Sequence, residues 1–79
     1  MPVVFRSGGF TFFFYSNEGR PRETVHIHVR KAGGEAKFWL SPLAVANSQG
    51  FDARTLRELL KLVEENSNLI ERTWHEYFA

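Results

Sequence analysis

The spacing of apolar residues changes period near residue 51. Before it, apolar and polar side chains alternate, most clearly in Thr24-Val25-His26-Ile27-His28-Val29-Arg30. After it, Leu56, Leu60, Val63, Ser67, Ile70, Trp74 and Tyr77 follow a four-three spacing, and Leu59, Leu69 and Phe78 widen the stripe. Alternation belongs to a strand with one buried face, and the four-three spacing to an amphipathic helix. The pattern predicts an α+β fold in the order β-β-β-β-α-α, with an antiparallel sheet of three to four strands and two C-terminal helices packed on one face. Seventy-nine residues make one domain, residues 1–79, with a β-rich half over 1–50 and a helical half over 51–79.

The strands can be placed from their turns. Val3 to Arg6 is a short apolar run, Ser7-Gly8-Gly9 a turn, and Phe10-Thr11-Phe12-Phe13-Phe14-Tyr15 a strand, so the first two runs form a hairpin. Phe10, Phe12 and Phe14 share one face and Thr11, Phe13 and Tyr15 the other, and both are apolar enough for a central strand. A polar loop over residues 16–23 leads into the histidine strand. There Val25, Ile27 and Val29 point to the core, while His26, His28 and Arg30 leave the sheet on the other side. Lys31-Ala32-Gly33-Gly34 turns the chain into Glu35-Ala36-Lys37-Phe38-Trp39-Leu40, whose Ala36, Phe38 and Leu40 join the core.

Two registers fit that turn. A loop from Lys31 to Gly34 sets Arg30 opposite Glu35, His28 opposite Lys37 and His26 opposite Trp39; a Gly33-Gly34 loop sets Arg30 opposite Lys37 and His28 opposite Trp39. Either way the second sheet face displays His26, His28, Arg30, Glu35, Lys37 and Trp39 together. Ser41-Pro42 ends the strand, Leu43 to Ala46 reads equally as a short strand or a helical turn, and residues 47–50 read as loop.

Asp52 is the expected N-cap of the first helix, with Phe51 stapled onto Leu56. A single helix from Asp52 to Phe78 would be about 40 Å long. A domain of this size spans roughly 30 Å, and Asn66-Ser67-Asn68 are weak helix formers. Two helices bent at residues 66–68 are therefore expected, with Asn68 and Glu71 resembling a capping box; the unbroken spacing keeps one long helix open. The aromatic-rich end, Trp74-His75-Glu76-Tyr77-Phe78, is expected to be docked rather than frayed.

Composition narrows the function classes. Twelve aromatic residues supply large buried area to a domain too short for a generous aliphatic core. With no cysteine there is neither a disulfide framework nor a thiolate metal site, which suits a cytoplasmic location. Small size without a staple favours a partner or an oligomer, so a monomer or a small homo-oligomer is open. No segment is long and apolar enough to span a bilayer, and residues 1–6 lack the features of a signal peptide, so no membrane association is expected. The net charge of +1 divides into +3 over residues 1–50 and −2 over residues 51–79. That is far from the balance of a dedicated nucleic-acid binder.

The histidine face supports several chemistries. Two imidazoles at i and i+2 on a strand can converge on a metal ion, but a third ligand is needed. Glu23, Glu35 or His75 would have to supply it, so His26 and His28 are weak metal candidates and no cofactor is expected. General acid–base catalysis of the metal-independent ribonuclease type needs a base, an acid and a cation; His26, His28, Lys37 and Arg30 supply these types on one face, and Tyr15 could add a phenol. Nucleic-acid contact is a third reading, in which Arg20, Arg22, Arg30, Lys31 and Lys37 hold phosphate around Trp39. The plainer alternatives are imidazoles bonded to loop backbone or stacked on Trp39, and Trp39 as a core or interface anchor.

Taken in order, Phe12-Phe13-Phe14-Tyr15-Ser16-Asn17-Glu18-Gly19, Val25-His26-Ile27-His28-Val29, Glu35-Ala36-Lys37-Phe38-Trp39-Leu40 with Pro42, Leu56-Arg57-Glu58 and Trp74-His75-Glu76-Tyr77-Phe78 resemble the small bacterial proteins of domain of unknown function family 4160. The resemblance runs over nearly the whole chain. Family members often carry Pro-Pro before the first histidine, where this chain has Thr24-Val25, so a more regular approach to His26 is expected. Carried over, the family motif residues are His26, His28, Lys37, Trp39 and Trp74. The resemblance implies a cytosolic prokaryotic protein; genes of the family are often found beside those of another small family, domain of unknown function family 2442, in an arrangement like a toxin–antitoxin pair. The expected function is therefore a non-enzymatic protein-interaction module with a small protein partner encoded nearby. It would bind through His26, His28, Lys37, Trp39, Arg30 and Arg22, with the ribonuclease and metal-binding readings as alternatives.

Overall fold

The structure is a computed structural model that describes residues 2–17 and 23–78. Five strands precede two helices: β1 (Val3–Ser7), β2 (Phe10–Phe13), β3 (His26–Lys31), β4 (Gly34–Leu40), β5 (Leu43–Gln49), α1 (Ala53–Glu65) and α2 (Ser67–Tyr77). The sheet is antiparallel throughout, in the order β1-β2-β3-β4-β5. The α+β class and both helices are as expected, with one strand more.

The extra strand is β5. Leu40 pairs with Leu43 around Ser41-Pro42, which closes a two-residue turn. Leu43 and Val45 favour strand, whereas Asn47, Ser48 and Gln49 do not. Pairing with Lys37, Ala36 and Glu35 overrides that preference and extends the strand through the segment expected as loop. A bulge accommodates the change, because Lys37 pairs with Asn47 and Phe38 with Val45, leaving Ala46 as the extra residue.

The β3–β4 hairpin takes the first of the two registers: His26 opposite Trp39, His28 opposite Lys37 and Arg30 opposite Glu35. Lys31 pairs with Gly34, so the turn is Ala32-Gly33, with Ala32 at φ 51° in the left-handed region. Gly34 has to be glycine because a β-carbon there would meet the ring of Phe51. β3 starts at His26, not at Thr24, so the regular approach does not form. His26 Nδ1–H donates to the Thr24 carbonyl at 2.8 Å, while the Val25 carbonyl still accepts from Leu40 N–H at 3.3 Å.

Phe12, Phe14, Ile27, Val29, Ala36 and Phe38 form the sheet side of the core; Leu59, Val63, Ile70 and Trp74 form the helix side. Val63, Ile70 and Trp74 lie on the expected four-three line, and Leu59 on its widened edge. Leu59 is fully buried, while Leu56 and Leu60 pack at the margin and Tyr77 is exposed. The chain measures 34 × 21 × 20 Å, too short for one straight helix from residue 52 to 78. The break falls at Asn66 (φ −110°, ψ 15°), whose amide side chain donates to the Leu62 carbonyl at 2.8 Å. Asp52 caps α1 by accepting from Thr55 N–H at 2.8 Å. Asn68 already lies inside α2, so it does not head a capping box; Asn66 occupies the N-cap position, but its side chain makes no capping bond to α2.

Candidate functional site

The second face of the sheet is built by alternation on three adjacent strands. β2 contributes Phe13 and, just beyond its end, Tyr15; β3 contributes His26, His28 and Arg30; β4 contributes Glu35, Lys37 and Trp39. The register sets Phe13 beside His28 on one side and Lys37 beside it on the other.

This face is not an open display of imidazoles. His26 is 0% exposed and His28 7% exposed. Rings close around both. His28 lies against Phe13 with centroids 5.6 Å apart, and meets Tyr15 edge-on at 4.6 Å. His26 meets His28 at 5.2 Å, Trp39 at 5.5 Å and Trp74 of α2 at 4.9 Å, all in T-shaped geometry. Such edge contacts set the positive ring rim against the negative face of a neighbour. The bond from Nδ1 to the Thr24 carbonyl fixes the proton on Nδ1 in neutral His26.

Charged groups surround this aromatic layer. The Tyr15 hydroxyl donates to Glu35 Oε2 at 2.9 Å. Lys37 Nζ lies 4.3 Å from the centre of the Trp39 ring and 3.6 Å from Glu23 Oε1. The Arg30 guanidinium lies 4.9 Å from the centre of the Phe13 ring. These are cation–π contacts worth about 0.5–1 kcal/mol each at partly exposed sites. His28, Glu35 and Lys37 also line a cleft of about 210 Å³, completed by Ala36 and by Asn47, Ser48 and Gln49 of β5.

The fold thus gathers six of the residues singled out in the sequence: His26, His28, Arg30, Glu35, Lys37 and Trp39. Arg20 and Arg22 lie outside the described residues, and His75 is exposed on α2. Among the described residues no group of three or more His, Cys, Asp or Glu side chains is placed to hold a metal ion. Glu23 and Glu35, the expected third ligands, are engaged with Lys37 and Tyr15. Three lining residues were missed, Asn47, Ser48 and Gln49, because their segment reads as loop. The contact of Trp74 with His26 was also missed; the resemblance marked both residues as motif positions without linking them.

A family model described as Domain of unknown function (DUF4160) matches residues 9–75. The chain belongs to this family. The DUF4160 match runs from just before β2 to residue 75 within α2, so the His26–Trp74 contact lies within it. No curated protein and no solved structure matches the chain. Among the described residues no helix is long and apolar enough to cross a membrane.

Proposed function

We propose that this DUF4160 chain is a non-enzymatic protein-interaction module of the bacterial cytoplasm. It docks a small protein partner on the rim of the second sheet face, through Trp39, Lys37 and Arg30, with His26 and His28 beneath them. The burial of both imidazoles carries this reading. A general acid or base must reach the proton that it moves, and His26 is enclosed by Trp39, Trp74 and His28. The histidines then serve as rigid supports for a half-buried tryptophan flanked by a lysine. Tryptophan and arginine in such settings carry a large share of interface energies.

The partner is the product of a neighbouring gene, in a toxin–antitoxin-like pair, as the family resemblance implies. Co-expression with each neighbouring gene product should give a stable complex. Trp39→Ala combined with Lys37→Ala should weaken it more than about tenfold while leaving the far-UV spectrum unchanged. Failure to pair with either neighbour at native expression would overturn the reading.

One observation favours the ribonuclease alternative: His28 borders a cleft that also holds Lys37 and Glu35. That reading requires cleavage of RNA by the purified chain, lost in a folded His28→Ala variant. Cleavage that survives the substitution removes it.

A further inference from the structure

The open meander leaves two edge strands, and they differ in how they are protected. Natural sheets blunt an edge with charge, proline or a bulge. β1 and β5 each follow a proline, Pro2 and Pro42, and each has an irregular register, but β1 also carries Arg6. β5 runs seven residues, Leu43-Ala44-Val45-Ala46-Asn47-Ser48-Gln49, with no charge and no proline. Its middle is open: Val45 is 37% exposed, and Ala46 and Asn47 are exposed as well. Within the strand, the bulge at Ala46 is the one protective device. It sits at the centre of the strand, leaving three residues on each side.

The helix above this edge has an unusual charge order. α1 has no acidic residue in its first turn and no basic residue in its last. Arg54 and Arg57 lie toward its N-terminus, and Glu64 and Glu65 end it. This order runs with the helix macrodipole, which disfavours basic groups at the N-terminus and acidic groups at the C-terminus. A neighbouring copy of the same helix in the opposite direction would turn both mismatches into attraction.

We infer that β5 pairs antiparallel with β5 of a second copy, across a two-fold axis at Ala46, to make a symmetric dimer with one continuous sheet. Leu43–Val45 of each copy then faces Asn47–Gln49 of the other, and an uncharged strand meets itself without repulsion. The axis stands normal to the sheet, so both helical layers lie on the same side and the two α1 helices run antiparallel. The spacing fits. Strands lie about 4.8 Å apart, so β5 sits about 2.4 Å from the axis and the midline of β4 and β5 about 4.8 Å from it. α1 packs on β4 and β5. Two such helices would lie roughly 10 Å apart, within the usual range for packed helices.

Sedimentation equilibrium of the whole chain at micromolar to hundred-micromolar concentration tests this. The expected mass is twice the 9.2 kDa of one chain; a single-chain mass throughout would overturn the inference. Ala46→Lys should raise the dissociation constant more than about tenfold. Arg54→Glu with Arg57→Glu should also raise it, and adding Glu64→Arg and Glu65→Arg should lower it again. Because the chain has no cysteine, Ala46→Cys supplies a check that does not depend on a disruptive variant. Mild oxidation should link two chains in high yield at Ala46→Cys and not at an exposed control, Glu76→Cys. Equal linking at both positions, or a dimer indifferent to Ala46→Lys and to the helix charges, would overturn the proposed seam.

Discussion

Trp74 on α2 stands edge-on to His26 on β3, their ring centroids 4.9 Å apart and their planes at 61°. The same indole meets the ring of Phe14, on the core side, at 5.2 Å. One side chain therefore touches both the core beneath the helices and the histidine layer of the second face. Removing it should loosen two layers at once. Trp74→Ala is expected to cost about 3–5 kcal/mol, read as a lower urea midpoint, while Trp74→Phe should keep most of the stability.

His26 offers a way to separate packing from hydrogen bonding. His26→Phe keeps a ring among Trp39, Trp74 and His28 but cannot donate to the Thr24 carbonyl. It should cost about 1 kcal/mol. His26→Ala also empties the space and should cost about 2–4 kcal/mol. Urea unfolding of the two variants should rank them in that order; equal losses would show that the hydrogen bond, and not the ring, is what matters.

The turn between β3 and β4 contains two opposite glycine effects. Ala32 holds φ 51°, where a β-carbon is strained, so Ala32→Gly should stabilise by up to about 1 kcal/mol despite the added freedom of the unfolded chain. Gly34→Ala would push a methyl group into the Phe51 ring, and Phe51 is itself set edge-on against Phe10 at 5.9 Å. Overpacking of this kind costs about 1–3 kcal/mol. Thermal melts of the two variants should therefore move in opposite directions.

Asp52 makes the stability of α1 depend on acid. Its hydrogen bonds from Thr55, backbone first, hold the carboxyl below its ordinary value of 3.8. A depressed value in the folded chain means that the contribution is complete above about 3.8 and disappears as pH falls through the lower folded value. Asp52→Asn can still accept from Thr55 N–H and does not titrate. Urea midpoints measured from pH 5 to pH 2 should fall less steeply for this variant than for the native chain.

The parts of the fold legible in the sequence are those where one local signal had no rival. The alternation in Val25–Arg30 and the glycines at 33 and 34 placed the histidines, Lys37 and Trp39 on one face, and the weak helix formers at 66–68 marked the bend at Asn66. β5 was half legible. Leu43 and Val45 carry a strand pattern, but Asn47-Ser48-Gln49 read as loop, and only cross-strand pairing with Glu35–Lys37 holds them extended. The contact of His26 with Trp39 and its bond to loop backbone were legible, but the full burial of His26 and His28 was not, because it also depends on rings contributed from elsewhere in the chain: Phe13 and Tyr15 before the histidines and Trp74 far after them. Periodicity assigns a side chain to a face, not what lies over that face.

The consecutive order of the strands has a kinetic consequence. Each strand pairs only with its neighbours along the chain, so each hairpin can zip from its own turn at a low loop-closure cost. The contacts that wait longest are those of α2, whose Trp74 must find Phe14 and His26 across some 50 to 60 intervening residues. Folding should then proceed as fast local hairpin closure followed by a slower docking of α2, with Trp74 forming its contacts after the transition state. Substitutions at Trp74 would accelerate unfolding far more than they slow folding, and the last turns of α2 would act as the latch that sets how long the folded state lasts.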